Sequence, residues 1–326
     1  MQVQCRIVMK TAIIYHYFEA NLKYKDNFVF FLNTAIEEKY DYYIYISGSS
    51  SVKLPKRKNI KYRYIEDKNN DFGRLVKFHQ EFQSLIFSTY IFINCSVRGP
   101  FLPSYFHEKW DTIFSSKLSK NIVLVGSSIN LLPSSTKHSE LFSQQYHFKP
   151  PYIHVQTTAY ALSRNGYKIL LEKGFFNEDR FLEKNDLICR YEILMSQIIL
   201  ASGHSIGSIL PTQYEFNNKK KDTEFQGTTN NGDPLYKYAF YGRSLSPLEI
   251  IFIKTNSNMI SNRELASYTF TSLSNKANGD FVTKDGRELQ KRSKKQMLLE
   301  EPIFTLKNIK AIFKKIKKRI RAKKRI

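Results

Sequence analysis

The feature that most constrains the fold is an alternation of short apolar runs with longer runs of helical spacing. Strand-like runs of β-branched and aromatic residues lie at 11–17, 42–47 and 60–65. Between the first two, residues 26–38 carry apolar side chains at intervals of three and four, which predicts a helix. This alternation is typical of an α/β fold with a mostly parallel sheet and helices on both faces.

Two polar loops follow strand-like runs within this pattern. Residues 69–73 come after the third run, and residues 94–100 come after the run at 90–93. A helical stripe over 75–86 separates the two loops. Open α/β sheets bind ligands at the carboxyl ends of their parallel strands, so we expect a binding site at these loops.

The next hundred residues continue the pattern. We predict a helix over 106–118, a buried strand over 121–126, a long polar loop over 127–150, a strand over 153–162 and a helix over 186–200. The helix at 186–200 has Gly203 as a plausible C-terminal cap.

The chain is predicted to divide into three parts. Residues 1–264 form the α/β domain, residues 265–300 lack clear periodicity and form a variable extension, and residues 301–326 form a basic tail. The net charge is +22, and residues 307–326 hold eleven lysines and arginines and no acidic residue. Residues 306–326 also carry an apolar stripe, so we expect a basic amphipathic helix on an anionic membrane surface. The alternative is a solvated tail that binds RNA loosely.

The cysteines and the hydropathy pattern indicate the cellular compartment in which the protein is expected. Three cysteines without regular spacing indicate a reducing compartment, and no Cys/His cluster indicates zinc. The first ten residues are too short and polar for a signal peptide, and no run of about twenty apolar residues could span a bilayer. We therefore expect a cytoplasmic protein that is peripheral on a membrane.

Seven sequence pieces, in order along residues 10–260, carry a resemblance to a known family. They are Asn69-Asn70-Asp71-Phe72-Gly73, residues 92–103, 123–126 and 154–156, Tyr191-Glu192 with Ser196, and residues 232–234 and 247–256. In these pieces the chain resembles the glycosyltransferase-like proteins related to rhamnan synthesis protein F, of the GT-A class. The resemblance implies a GT-A, Rossmann-like fold. It also implies sugar transfer from a nucleotide-sugar donor to a glycan or lipid-linked acceptor, in cell-surface polysaccharide synthesis.

Donor contacts are expected near the predicted strand ends. The candidate residues are Tyr15, His16, Asp71, Gly73, Arg74, Asn94, Ser96 and Arg98. Tyr15 stacks on the base or is an aromatic core residue, and Asp71 contacts the ribose or a metal, or caps a helix. Asn94 and Ser96 contact the donor or cap a turn.

One departure from many GT-A enzymes concerns the metal. Those enzymes place Asp-x-Asp after the fourth strand to hold a divalent cation, whereas this chain has Asn94-Cys95-Ser96. Neutral amide and hydroxyl groups are poor ligands for Mn²⁺ or Mg²⁺ without carboxylates beside them. Either Asp71 supplies the charge for such a metal, or Arg74 and Arg98 neutralise the diphosphate.

Catalysis and acceptor binding are expected from later segments. Direct displacement needs one general base, and Glu192 is the candidate, with a solvated helix glutamate as the alternative. Because no second nucleophile is evident, we expect inversion. His154 and Gln156 share one strand face and are candidate sugar ligands, or an internal hydrogen-bonded pair. Asp233 is a candidate acceptor contact in a turn. We expect Tyr15, Asp71, Asn94 and His154 to converge on one concave wall.

Two other classes of function stay open. The basic charge and the aromatic residues suit nucleic-acid binding, although no nucleic-acid-binding motif is present and no specific nucleic acid is expected. The missing Asp-x-Asp also suits a catalytically inactive GT-A-like protein that binds glycans without turnover.

Overall fold

The structure is a computed structural model. It describes residues 10–67, 72–82, 86–177, 180–213, 215–217, 232–277 and 282–299. The predicted basic tail at 301–326 and the candidate residue Asp71 lie outside the described residues.

Single strands or pairs of strands are separated by helical segments through the first 210 residues. The strands are β1 (Thr11–Phe18), β2 (Asp41–Ser47), β3 (Ile60–Ile65), β4 (Thr89–Asn94), β5 (Val97–Arg98), β6 (Ile122–Gly126), β7 (Ile129–Leu132), β8 (Tyr152–Val155), β9 (Ala159–Ser163), β10 (Ser205–Ser208) and β11 (Ile253–Lys254). The α-helices are α1 (Leu22–Thr34), α2 (Gly73–Glu81), α3 (Thr112–Ser115), α4 (Lys137–Gln145), α5 (Arg164–Glu172), α6 (Lys184–Leu187), α7 (Leu194–Ala201), α8 (Pro247–Ile250), α9 (Asn262–Ala277) and α10 (Lys284–Leu299). A π-helix, Ile188–Ile193, joins α6 to α7.

The central sheet confirms the predicted α/β class. Within the described residues it has seven strands in the order β10-β6-β9-β4-β1-β2-β3. All neighbours pair in parallel except β9, which runs antiparallel to both β4 and β6. Two antiparallel pairs, β5 with β11 and β7 with β8, lie outside it. The protein is therefore a mixed α/β fold with a mostly parallel sheet flanked by helices.

Both faces of the sheet are buried at β1, β2, β4 and β6, which explains why these strands are apolar at nearly every position, whereas the edge strand β3 leaves most of its residues at least partly exposed. Alternate residues of β1 enter two different cores, with Ile13 in one and Ile14 in the other. The first core includes Phe28 of α1 and Leu273 of α9, and the second includes Phe78 of α2. Helices therefore cover both faces, as a parallel sheet requires.

Local sequence signals explain several helix starts. The Asn21 side chain accepts a hydrogen bond from the Tyr24 backbone N–H at 3.0 Å and caps α1. Ser163 caps α5 in the same way. Ser246 and Glu249 form a reciprocal capping box that begins α8.

Several predicted elements are wrong in extent or type. Only Thr112–Ser115 of the stripe at 106–118 is α-helical, and the predicted loop at 127–150 contains β7 and α4. The predicted strand over 153–162 is two strands, β8 and β9, which join different sheets. Short apolar runs do not distinguish these cases, because a turn between two strands changes neither their composition nor their alternation.

Residues after 264 also differ from expectation. The segment that lacks clear periodicity contains α9 and α10, which pack against each other and against α1. Leu265 and Leu289 belong to the first core. Tertiary packing against α1 stabilises helices whose own apolar pattern is weak. None of the helices in the described residues is long and apolar enough to cross a bilayer.

Candidate functional site

A cavity of about 370 Å³ lies where β1 and β4 end. His16 and Phe18 line it from the end of β1, and Asn94 and Ser96 line it from the end of β4 and the turn that follows. Parallel strands place their carboxyl ends at the same edge of a sheet, so the topology itself creates this concave edge.

The floor of the cavity is a pair of neighbouring polar residues. His16 and Asn94 are register partners on β1 and β4. The His16 Nε2 is 2.8 Å from the Ser47 hydroxyl, and the ring is buried. Burial, followed by the nearby charge of Arg74, lowers the pKa of His16 well below its ordinary value. His16 is therefore neutral at physiological pH.

The turn after β4 is closed by its own hydrogen bonds. The Asn94 Oδ1 accepts from both the backbone N–H of Ser96, at 3.0 Å, and the Ser96 hydroxyl. The Cys95 thiol lies against the Phe18 backbone, 3.4 Å from its nitrogen and 3.6 Å from its oxygen. The side chains at the Asp-x-Asp position thus hold the turn together, which is the turn-capping alternative of the sequence analysis.

The opposite wall comes from the helical segment that carries Glu192. Lys184 and Glu192 line the cavity, with Leu187 and Ile188 between them. Glu192 lies in the π-helix, where the Leu194 N–H donates to the Cys189 carbonyl five residues earlier. Such π-helical insertions in α-helices occur frequently at functional sites. The predicted continuous helix over 186–200 is therefore interrupted at the residue proposed for chemistry.

Hydrogen bonds to a neighbouring strand hold this helical wall in position. The Ser196 hydroxyl accepts from the Val155 N–H at 3.0 Å, and the Gln197 amide donates to the Ile153 carbonyl at 2.7 Å. Phe72, which also lines the cavity, stacks on Tyr191 with ring centroids 5.0 Å apart. These contacts fix the turn of helix that presents Glu192.

A third wall is the end of β11, which contributes Lys254 and Asn256. Thr255, between them, donates from its backbone N–H and its hydroxyl to the Ser96 carbonyl, at 2.9 and 3.0 Å. The Asn27 amide donates to both the Cys95 carbonyl and the Thr255 hydroxyl. This network joins β11 to the turn after β4, although 159 residues separate Thr255 from Ser96.

Gln156 connects the cavity to the turn that contains Asp233. Gln156 lines the cavity, and its side chain is hydrogen-bonded to the Asp233 carboxylate. Burial raises the pKa of Asp233, while that hydrogen bond and the charge of Lys254 act in the opposite direction. The sequence-predicted acceptor residues Gln156 and Asp233 therefore lie together beside the cavity.

Tyr15 and His154 do not line the cavity, so the expected convergence of four residues on one wall is wrong for these two. The Tyr15 ring is buried against Phe28 and Phe31, with centroids 5.4 and 4.3 Å away. His154 is buried in the β7–β8 ribbon opposite Asn130, and burial lowers its pKa to about 4. Tyr15 matches the aromatic-core alternative.

Arg98 also lies away from the cavity lining. Its guanidinium donates to Asn27 at 2.9 Å and to Thr269 at 3.0 Å, and it lies 3.9 Å from Asp26. Burial lowers the pKa of Arg98 to about 10. Its surroundings are α1 and α9, so in this structure it links helices rather than facing the cavity.

Of the polar loop predicted at 69–73, the structure describes Phe72 and Gly73. Gly73 begins α2 directly after Phe72, and Arg74 is buried with its charge close enough to lower the pKa of His16. Asp71 precedes them outside the described residues.

The sequence analysis did not select three charged residues of the cavity. Asp67 follows β3, Lys184 begins α6 and Lys254 ends β11. Lys254 lies within the piece 247–256 that carries the resemblance, so that signal was present. Asp67 and Lys184 lie in no distinctive pattern, because charged loop residues are common on any surface.

A divalent metal of the GT-A type does not fit the described residues at this position. Asn94, Cys95 and Ser96 are engaged with one another and with Phe18, as described above. Among the described residues, no group of three or more His, Cys, Asp or Glu side chains is arranged to hold a metal ion.

No protein-family profile matches the chain, and no curated protein matches it. Solved glycosyltransferase structures show a weak likeness in chain path. The WbbM bifunctional glycosyltransferase has a TM-score of 0.42 at 10% identity, covering 87% of this chain and 52% of WbbM. A mannosyltransferase from Pyrobaculum calidifontis, in complex with GDP-Man and Mn²⁺, has a TM-score of 0.37 at 7% identity, and the match covers 89% of this chain and 70% of that enzyme. The galactosyltransferase LgtC has a TM-score of 0.33 at 9% identity, and the match covers 56% of this chain and 70% of LgtC. This chain thus spans about half the length of WbbM.

Proposed function

We propose that this protein is a glycosyltransferase that binds a nucleotide-sugar in the cavity at the ends of β1 and β4. The observation that carries the proposal is the meeting, in one cavity, of strand-end polar groups with two carboxylates and two lysines. Asn94 lines the cavity from the end of β4, Asp67 and Glu192 are the carboxylates, and Lys184 and Lys254 are the cations. Sugar transfer from a nucleotide-sugar requires both a site that binds the anionic diphosphate and a base that accepts the proton of the incoming hydroxyl.

Glu192 is the proposed general base. The acceptor oxygen forms a bond to the anomeric carbon while the bond from that carbon to the diphosphate oxygen breaks. The acceptor proton moves to the Glu192 carboxylate, and the nucleoside diphosphate leaves with the bonding electron pair. One base and one displacement invert the anomeric configuration. The acceptor enters beside Gln156 and Asp233 and belongs to a glycan or lipid-linked glycan, in polysaccharide synthesis of the GT-A type that the sequence resembles.

The test is donor turnover by the full chain. A thermal-shift panel of UDP-, GDP- and dTDP-sugars first identifies the nucleotide, because a ligand that binds the folded state raises the unfolding midpoint. Hydrolysis of the selected donor is then measured with and without Mn²⁺. We expect Glu192→Gln to lower the rate by about a hundredfold or more, as loss of a general base does.

The matched control is Glu172→Gln, which changes an exposed glutamate of α5 paired only with Lys168 across one helical turn. Its rate should equal that of the wild type. A wild-type protein that binds donor but never turns it over, with either water or glycan as acceptor, would favour the inactive glycan-binding alternative. Equal rates for Glu192→Gln and the wild type would remove Glu192 from the mechanism.

We also propose that residues 306–326 hold the enzyme on an anionic membrane surface on the cytoplasmic side. The support is the sequence pattern of an apolar stripe flanked by lysines and arginines. The full chain should sediment with phosphatidylserine vesicles and a chain ending at residue 300 should not. Equal sedimentation of both chains would contradict this assignment, and RNA binding lost with the tail would favour the alternative.

A further inference from the structure

We infer that Lys184 and Lys254 bind the donor diphosphate directly, in place of the divalent metal that an Asp-x-Asp motif would hold. This inference rests on the proposed function and deepens it. It names the charge that stabilises the leaving group, and it assigns that charge to two residues that the sequence analysis did not select.

The turn after β4 offers a metal ion no charged ligand. Where a metal-binding GT-A enzyme has two carboxylates, this chain has an amide, a thiol and a hydroxyl. The Asn94 amide oxygen already accepts two hydrogen bonds from Ser96, and the Cys95 thiol contacts the Phe18 backbone. A hard cation such as Mg²⁺ or Mn²⁺ needs oxygen ligands of high charge density, and these groups do not supply them.

Lys254 lies next to this turn in the fold. It is half-buried at the end of β11 and lines the cavity. Val97, which directly follows the turn after β4, is its register partner. The hydrogen bonds from Thr255 to the Ser96 carbonyl hold this pairing. Lys254 is thus anchored next to the turn after β4 and lines the same cavity as Asn94 and Ser96.

Neither lysine side chain is tied up in a salt bridge with another described residue. Within the residues that the structure describes, the Lys184 and Lys254 ammonium groups make no hydrogen bond or salt bridge, and the buried Asp233 carboxylate is the charged neighbour of Lys254. Lys184 enters from α6 on the helical wall, and Lys254 enters from β11. Two ammonium groups from separate walls of one cavity carry the charge of one divalent ion, and a diphosphate between them would accept from both.

The two arginines named in the sequence analysis do not face the cavity. Neither Arg74 nor Arg98 is among the residues that line the cavity. Arg98 is engaged with Asn27, Thr269 and Asp26 beneath α1 and α9. The two lysines are therefore the cations that a cavity-bound anion meets.

The experiment measures nucleotide binding by calorimetry with the full chain in EDTA. The probes are the diphosphate and the monophosphate of the nucleoside selected from UDP, GDP and dTDP, so that their affinity ratio isolates the second phosphate. We expect the diphosphate to bind without metal. Lys254→Met should weaken the diphosphate about tenfold or more and the monophosphate much less, since hydrogen bonds to charged groups are the strong ones.

Lys184→Met should act in the same direction with a smaller effect, because this lysine is exposed. Lys254→Arg, which keeps the charge, should retain most of the preference for the diphosphate. Lys168→Met is the control, since this exposed lysine of α5 pairs with Glu172 and does not line the cavity.

Three results would overturn the inference. Diphosphate binding that requires Mn²⁺ and is unchanged in both methionine variants would assign the charge to a metal and leave the proposed function standing. If the methionine variants weakened monophosphate and diphosphate binding equally, the lysines would maintain the shape of the cavity and would not bind the second phosphate. If no nucleotide or nucleotide-sugar binds with or without Mn²⁺, the proposed function fails together with the inference.

Discussion

Arg98 and Lys254 come from the same two-stranded ribbon but lie in opposite surroundings. Arg98 of β5 is 5% exposed and bonded to side chains of α1 and α9. Lys254 of β11 is half-buried, lines the cavity and makes no salt bridge in the described part of the chain, with the Asp233 carboxylate as its charged neighbour. Removing a buried cation leaves its partners unsatisfied and destabilises the fold, whereas a cation on a cavity wall that makes no salt bridge is available to a ligand.

The largest expected effect tests the structural side of this comparison. Arg98→Met should lower the free energy of unfolding by about 3 kcal/mol, because it leaves the buried acceptors of Asn27 and Thr269 without their donor and removes one of the two arginines beside Asp26, the other being Arg292. Urea unfolding of the variant and the wild type measures this difference. At a temperature where the variant is folded, its affinity for the nucleoside diphosphate should equal that of the wild type. A stable variant that has lost diphosphate affinity would reverse the roles of the two cations.

A smaller effect separates a buried histidine from an exposed one. Burial lowers the pKa of His154 to about 4 from an ordinary value of 6.5, so the unfolded state binds the proton more tightly. Stability from this group is complete above pH 6.5 and falls as the pH decreases towards 4. Between pH 7 and pH 5 this loss amounts to about 2 kcal/mol.

His154→Gln should therefore remove about 2 kcal/mol from the change in unfolding free energy between pH 7 and pH 5. The same substitution at the exposed His107 should leave that change as it is in the wild type. Urea unfolding at the two pH values gives both results. If sugar binding at neutral pH were lost in His154→Gln while stability stayed unchanged, the predicted role of His154 as a sugar ligand would regain support.

The smallest effect concerns the positioning of Lys254. Thr255→Val keeps the side-chain shape but removes the hydroxyl that donates to the Ser96 carbonyl and accepts from Asn27. We expect a loss of about 1 kcal/mol in stability. Diphosphate affinity should fall a few-fold, with the monophosphate less affected, because β11 is then held less firmly against the turn. An unchanged diphosphate affinity would show that the lysine needs no such support.

Elements that are buried on both faces were predicted from the sequence, and elements that depend on tertiary packing were not. Strands β1, β2, β4 and β6 were predicted because both of their faces are buried, which makes them continuously apolar. The helices α9 and α10 were missed because their stability comes from packing on α1 and not from a strong stripe of their own. The π-helix at Glu192 left no signal either, because one inserted residue shifts the apolar spacing too little to read.

Some of the site residues predicted from the sequence line the cavity, and others do not. His16, Asn94, Ser96, Gln156 and Glu192 were selected from the sequence and line the cavity. Tyr15 and His154 were selected as well, but they are buried elsewhere. Residue type and proximity to a strand end do not reveal the side to which a side chain points, since a shift of one residue along a strand reverses its direction.

The sequence by itself determined the α/β class and the neutral Asn94-Cys95-Ser96 segment where carboxylates would otherwise stand. These properties depend on residues close together along the chain. Only the tertiary structure decided which cation faces the cavity. Arg98 is buried and Lys254 lines the cavity because β11 pairs with β5 across more than a hundred and fifty residues. That pairing depends on the packing of the whole domain, which no local pattern encodes.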